Sequence, residues 1–546
     1  MVALVLLPVL LGVALYKAPT APAKALAFAG QGWLAWRAVT LLARTVREGP
    51  TLEVLGGGDG FVYIALRGER AALALVVLTV VLVTAALAHA LGEPYFDNRL
   101  LLLLLVLQGL VAGVLLTDDV FNLFVLFEVA TLTTILLVMF KRDRRNTYDG
   151  LYYLMVQIVA MTFFLFGLAY LYRVFGVLSV TEIAAMVGQG VDGRALVAPF
   201  AFMVTGLALK AGLFPLFSFV PRSYANPGAP TVVLMLMSGV LVTAALFWVA
   251  RLVDLFAPAL DVSGFLAVVG LVTGVAGAAK ALAQRDIRLL LAYSTVSQAG
   301  LVTLGLAAGT AAASGGAIAH LANHALAKSA LFLTAAAIGR RYGSVRLDEI
   351  RGVARRMPLV TALSAVAVLG MLGAPFTGGA WSKDLIASGA AGTWVEAAVW
   401  VVNIGTALVF VRYCAMFFGT PPPPLAPAAA PAPTRAVRLG QGAKVGVVVA
   451  LTLACLATGV LAVPTAHLLL GADVAVSAGT TAAKAAAFAA TIAVALLAHR
   501  YLGPAARRLR APLTRTLSLP YACLALTVFF AATALAGSIA TRGVAG

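Results

Sequence analysis

The chain has 546 residues, 62% hydrophobic and only 11% charged, which excludes an ordinary soluble domain and a disordered chain and implies a polytopic membrane protein. Its formal charge of +18 sits mainly in short loops between apolar runs, so it reads as a topology signal and not as a nucleic-acid surface. Cys414, Cys455 and Cys523 are scattered without Cys-x-x-Cys spacing, so neither a disulfide framework nor a thiolate metal site is supported.

In chain order, MVALVLLPVLLGVALY lacks a basic leader and is expected to be retained as a first helix. A weaker run over 24–43 is interrupted by Trp33, Trp36 and Arg37. The glycine-rich stretch 49–66, with its short β-branched runs, predicts an extramembrane turn or hairpin. Further spans are predicted near 70–90, 98–117, 120–140, 150–173, 195–218, 229–250, 264–283, 289–308, 314–339, 359–390, 394–419, 443–470, 481–501 and 519–540. Each reaches or approaches the ~20 residues needed to cross the hydrocarbon, giving an all-α protein of about 14–16 spans.

The loops provide an independent check on this order. Lys141, Arg142, Arg144 and Arg145, then Arg222, Arg285 and Arg288, Arg340 to Arg356, Arg435 and Arg438, and Arg507 to Arg510 all follow odd-numbered spans. The positive-inside rule then places these loops in the cytoplasm and both termini on the outer side. The tract TPPPPLAPAAAPAPT after Gly419 is expected to run as an extended linker. The domain division read from the sequence is 1–97, 98–250, 264–419, a linker at 420–440 and a C-terminal extension at 441–546.

Lys210 lies inside the apolar seventh span with about ten apolar residues on either side, and Pro215 follows five positions later. A bare ammonium at bilayer depth costs at least ~3 kcal/mol, so it should face protein or water and have a purpose. Pro215 is expected to break the helix beside it, creating freed backbone groups where an ion can be held. Glu128, about eight residues into the fifth span, is the natural partner of Lys210, either as a titrating group on a proton path or as half of a structural ion pair.

The eleventh span places His320, His324 and Lys328 four apart on one helical face, with Asn323 and Ser329 nearby. Imidazoles titrate near neutrality, so this stripe suits a proton relay. Ordinary hydrogen-bonded packing and a zinc site are the competing readings, although no Glu follows His320 and no other residue is placed to complete four ligands. In the twelfth span Pro375, Gly378 and Gly379 are read as a second helix break, followed by Lys383 and Asp384. The two breaks lie five spans apart and therefore cross the membrane in opposite directions, as inverted-topology repeats require. Lys280 is an auxiliary candidate close to a basic loop, where it could also snorkel. No phosphate loop, cysteine cluster or nucleophile elbow is present, so neither a cofactor nor a catalytic centre of its own is expected.

Five ordered motifs carry a resemblance: DDVFNLFVLFEV ending just after Glu128, LALKAGLFPL around Lys210, ALAQRDIRLLLAYSTVSQAG, HLANHALAKSALF, and GMLGAPFTGGAWSK ending at Lys383. The chain resembles the proton-translocating antiporter-like membrane subunits of multisubunit cation/proton antiporters, respiratory complex I and membrane-bound hydrogenases. Within that group it is most similar to the D subunit of the multisubunit sodium/proton antiporter. The resemblance implies two inverted five-helix repeats with broken seventh and twelfth helices. It also implies a charge pair of Glu128 with Lys210, a central axis through His324 and Lys328, and a second half-channel at Lys383. The partners implied are other membrane subunits and a monovalent cation, in the inner membrane.

Two departures stand out. The eighth-span lysine usual in the family is absent, with Thr243 in its expected place, and the His and Trp after the seventh-span proline are replaced by Phe217, Ser218 and Phe219. A redox-type assembly and a non-transporting scaffold subunit are the alternative readings.

Overall fold

The computed structural model describes residues 1–56, 64–423, 435–472, 478–508, 513–514 and 518–544. Helices α1 (Val2–Leu15) and α2 (Thr20–Glu48) precede an antiparallel pair of strands, β1 (Thr51–Leu55) and β2 (Ile64–Gly68), in which Thr51 faces Gly68 and Leu55 faces Ile64. This is the expected hairpin; its tip lies outside the described residues. There follow α3 (Arg70–Ala90), α4 (Asn98–Leu116), α5 (Val120–Val138), α6 (Arg144–Phe175), the short α7 (Val180–Gly188), α8 (Gly193–Ala211) and a single turn, α9 (Val220–Ser223).

Helix α10 (Thr231–Leu236) runs through a π-helical turn at Met237–Leu241 into α11 (Val242–Phe256). Beyond it come α12 (Ser263–Ala283), α13 (Ile287–Ala307), α14 (Ala311–Tyr342), the turn α15 (Val353–Arg356), α16 (Pro358–Leu372), α17 (Gly378–Gly389) and α18 (Trp394–Cys414). The C-terminal part contains α19 (Arg435–Val460), α20 (Ala462–Leu470), α21 (Ala478–Arg508) and α22 (Leu519–Val544).

Among the described residues, 12 helices are long and apolar enough to cross a membrane, and Val2–Leu15 and Pro358–Leu372 are shorter apolar helices. The higher count read from the sequence is corrected at α1, α2, 359–390 and α21, and one further span is shortened. The first span is only 14 residues long, and α2 carries Lys24, Arg37 and Arg44. The expected span at 359–390 is divided between α16 and α17, and α21 is alanine-rich. The expected span at 443–470 is likewise divided, between α19 and α20. Of the proline-rich linker, residues 424–434 lie outside the described residues, while 435–440 are already helical.

Helix starts follow capping chemistry. Asp97 accepts from the Leu100 N–H at 2.9 Å, Asp286 from Arg288 at 2.7 Å and Thr310 from Ala313 at 3.2 Å. Gly212, Gly343 and Gly373 end α8, α14 and α16 with positive φ, which glycine adopts without steric cost.

Helix α12 packs on α13, α6 on α8 and α14 on α17, while α19 lies across α3, α14, α16 and α17, and α22 covers α8. Phe530 of α22 seats between Phe163 and Phe202, with ring centroids 5.4 and 4.4 Å away. Contacts sort the loops into two groups. Arg340 and Lys444 meet Glu93 at 3.0 and 2.6 Å, and Asp286 bridges Arg346. In the other group Arg67 binds Thr181, Asp118 accepts from Ser179 at 2.9 Å and Arg251 reaches Glu69 at 3.4 Å.

Candidate functional site

The helix α8 that carries Lys210 ends one residue later, at Ala211. The chain then passes Gly212 and a cis Phe214–Pro215 bond before resuming as a 3-10 turn at Phe217–Phe219. Lys210 is buried, and its Nζ donates to Thr131 Oγ1 at 2.8 Å and Gln157 Oε1 at 3.3 Å. The ring of Phe127 lies 5.1 Å from the same nitrogen. Beside it is a cavity of about 20 Å³, bounded by Thr131, Tyr153, Gln157, Tyr224 and Leu241, with room for one water.

The expected charge pair is not a contact ion pair. Glu128 is half-buried on α5, one turn before Thr131, and among the described residues no ion pair within 4 Å joins it to Lys210. Thr131 and Gln157 take the place of the carboxylate. Sequence reasoning missed both, although Thr131 is signalled by its i+3 spacing from Glu128 on the same helix face.

The region where the family's lysine is absent has its own polar chain. Thr243 is buried and its hydroxyl bonds back to the Gly239 carbonyl at 2.8 Å, so it is committed to its own helix. One turn earlier, in the π-helical turn, Ser238 Oγ meets Thr295 Oγ1 at 2.7 Å, and Thr295 in turn donates to the Leu291 carbonyl at 3.2 Å. Lys328 Nζ donates to that same carbonyl at 2.9 Å and to the hydroxyl of Ser294. Gly239 faces α14, where a Cβ would stand 3.1 Å from Ser329 Oγ and 3.3 Å from the Ala325 carbonyl oxygen. A π turn offsets the register of a helix and is a frequent feature of functional sites; here it presents Ser238 towards α13.

The rest of the stripe is equally interior. His320, His324 and Lys328 are 1%, 4% and 0% exposed. His320 engages both ring nitrogens, Nδ1 with Ser382 Oγ at 3.2 Å and Nε2 with Gln298 Oε1 at 2.9 Å, and Gln298 donates onward to Thr406 at 2.8 Å. The His324 ring centroid is 6.4 Å from that of His320, and its buried Nε2 has no protein partner among the described residues. Among the described residues no group of three or more His, Cys, Asp or Glu is placed to hold a metal ion.

Lys383 is buried on α17 and donates to Asn403 Oδ1 at 3.0 Å. Pro375 lies in the gap between α16 and α17, whereas Gly378 and Gly379 are the first two residues of α17 and so begin a helix instead of interrupting one. Their smallness serves close approach. A Cβ on Gly379 would fall 1.9 Å from the Gly370 carbonyl oxygen, and one on Gly378 2.0 Å from Asn323 Oδ1. Asn323 uses that space to donate to the Gly378 carbonyl at 2.8 Å. Lys280 stands apart from the stripe, donating to the Leu513 carbonyl at 3.0 Å with the Tyr293 ring 5.5 Å away.

The ion pairs of the described residues involve other cations, and none includes Lys210, Lys328 or Lys383. Three interior lysines are thus held by hydroxyl, amide and carbonyl oxygens. Such acceptors can serve a neutral amine or an ammonium, whereas a contact carboxylate would fix the charged form.

The family described as NADH:quinone oxidoreductase/Mrp antiporter, TM, matches residues 117–409. The N subunit of the NADH-quinone oxidoreductase of Desulforudis audaxviator is 34% identical over 395 residues, 69% of this chain and 77% of that protein. The D subunit of the Na(+)/H(+) antiporter of Alkalihalophilus pseudofirmus is 31% identical over 276 residues, 50% of this chain and 55% of that protein. Among solved structures, a chain of the Mrp complex from Dietzia sp. superposes with a TM-score of 0.76 at 25% identity, covering 89% of this chain and 98% of that one. A chain of respiratory complex I from Thermus thermophilus shares the fold, with a TM-score of 0.74 at 23% identity over 90% of this chain and 99% of its own.

Proposed function

The chain belongs to the NADH:quinone oxidoreductase/Mrp antiporter family of membrane subunits, and from that membership we propose that it conducts protons within a hetero-oligomeric inner-membrane complex. The observation that carries the reading is the set of three interior lysines with uncharged oxygen partners, threaded by His320 and His324. A proton enters near Glu128 and Lys210, reaches the Ser238 and Thr295 hydroxyls, crosses to Lys328 through a water or a turned Thr295 hydroxyl, because the Leu291 carbonyl they share only accepts, moves along the histidines and leaves near Lys383. The water-sized cavity at Lys210 is bounded by Leu241, three residues beyond Ser238 on the same helix.

Residues 98–250 and 264–419 are, in this reading, two inverted five-helix repeats whose seventh and twelfth spans are broken at Pro215 and Pro375. The support is the pairing of a helix end with an interior lysine at α8 and at the α16–α17 gap. The basic loops face the cytoplasm and both termini the outer side.

The coupled process is exchange of a monovalent cation, sodium first, by analogy with the sodium/proton antiporter relatives. A redox-driven assembly is the second reading, favoured by the longer match to the NADH-quinone oxidoreductase relative. Proteoliposomes holding the intact complex separate the two. Antiport predicts dissipation of a pH gradient on adding sodium; the redox reading predicts acidification only when an electron donor and quinone are supplied. Failure of both to move protons overturns the proposal.

A further inference from the structure

A cleft of about 730 Å³ opens among the basic loops, between the end of α5, the start of α10 and the end of α14. Its two halves differ in character. Lys141, Arg288, Arg340 and Arg346 supply cationic groups, while Phe140 and Ala336, both half-buried, supply an apolar wall. Ala336 belongs to α14, a helix long and apolar enough to span the membrane, and Phe140 follows the end of another, α5.

The cations are not balanced locally. Lys141 is exposed and makes no ion pair among the described residues, and its neighbours Arg142, Arg144 and Arg145 have one acid among them, Asp143. Glu93 is shared between Arg340 at 3.0 Å and Lys444 at 2.6 Å, one carboxylate for two cations. Arg288 has its own partner, Asp286, at 2.7 Å, and Arg346, which also lines the cleft, has two, Asp348 at 3.1 Å and Glu349 at 2.8 Å, so the unbalanced cations are Lys141 and Arg340.

We propose that this cleft binds an anionic phospholipid, its phosphate against Lys141 and Arg340 and an acyl chain along Phe140 and Ala336. Basic pockets between transmembrane helices are suited to anionic headgroups. The apolar wall decides between the two sources of a phosphate: an inorganic anion would use the cations alone, whereas a lipid uses both halves. The site is separate from the buried stripe and does not depend on proton conduction.

The test uses the purified whole complex and phosphatidylglycerol with a photoactivatable acyl chain. Cross-links are expected in the segments 140–146, 227–236 and 332–340, competed by unlabelled phosphatidylglycerol but not by phosphatidylcholine or by inorganic phosphate at millimolar concentration. Neutralising both cations in Lys141→Gln with Arg340→Gln should raise the half-saturating lipid concentration about 30-fold. Because Arg340→Gln also breaks the Glu93 contact, Ala336→Trp is the second variant: it keeps every charge, fills the wall, and should abolish labelling in complexes that still assemble. The proposal is overturned if those segments are unlabelled, if both variants label like the parent, or if inorganic phosphate competes as well as the lipid.

Discussion

Ser238 and Lys328, on different helices, are joined through one backbone oxygen. The Leu291 carbonyl accepts from Lys328 Nζ at 2.9 Å and from Thr295 at 3.2 Å, and Thr295 meets Ser238 at 2.7 Å. An uncharged hydroxyl pair thereby links the eighth membrane-crossing segment to the central lysine, in a chain where the expected lysine of that segment is replaced by Thr243. The hydroxyls can each accept one proton and release another, whereas the carbonyl only accepts, so the last transfer from Thr295 to Lys328 needs a water or a turned Thr295 hydroxyl between them.

This linkage predicts that Ser238→Ala slows proton movement at least several-fold while the complex still assembles. The lost hydrogen bond is worth about 1 kcal/mol, too little to unfold the subunit. Proton flux in proteoliposomes, normalised to assembled complex, is the measurement. Thr243→Val should leave flux near the parent value, because the Thr243 hydroxyl is tied to its own helix. The opposite ranking of the two variants would return the route to Thr243.

The environment of Lys210 predicts an asymmetry between it and Glu128. Lys210→Met removes an interior ammonium whose neighbours are neutral oxygens, so stability is kept or rises while flux is lost. Glu128→Gln touches a half-buried group with no contact ion pair, and should change the unfolding temperature by less than about 2 °C, as expected for a change well within ±0.5 kcal/mol. A large destabilisation by Glu128→Gln would show that a contact pair with Lys210 forms after all.

Gly379→Ala should be poorly tolerated. The added methyl would sit 1.9 Å from the Gly370 carbonyl, where the end of α16 crosses the start of α17, so the backbone itself must move. Such overpacking costs about 1–3 kcal/mol. Less assembled complex and a lower unfolding temperature are expected; a fully stable variant would mean that the two helix ends separate freely.

The loop groups predict a labelling pattern. In a background without Cys414, Cys455 and Cys523, single cysteines at Arg142 and Arg346 should react with an impermeant thiol reagent from the same side, and one at Glu396 from the opposite side. Reaction of Arg142 and Arg346 from different sides would overturn the alternation of loops.

Much of this architecture was legible because apolar run length and basic loops respond directly to the bilayer. The interior lysines and the histidine stripe were legible for a related reason, since a charge in an apolar run stands out by its cost. The hydroxyl and amide partners were not. Thr131, Gln157, Ser238, Thr295 and Asn403 are common helix residues, and only the three-dimensional register turns them towards a lysine. The π turn that aims Ser238 leaves no mark in residue periodicity. Gly378 and Gly379 were misread because glycine serves helix breaks and close packing alike, and spacing alone does not separate those uses. The count read from the sequence ran high where helices are short, charged, divided or alanine-rich.

Lys328 is fully buried and lies between the Ser238 linkage and the histidines. The most direct measurement is therefore proton flux through proteoliposomes containing the intact complex with Lys328→Met. The account predicts an assembled, thermally stable complex whose flux falls to the leak of empty vesicles. Flux equal to that of the parent complex would contradict a proton path through this chain.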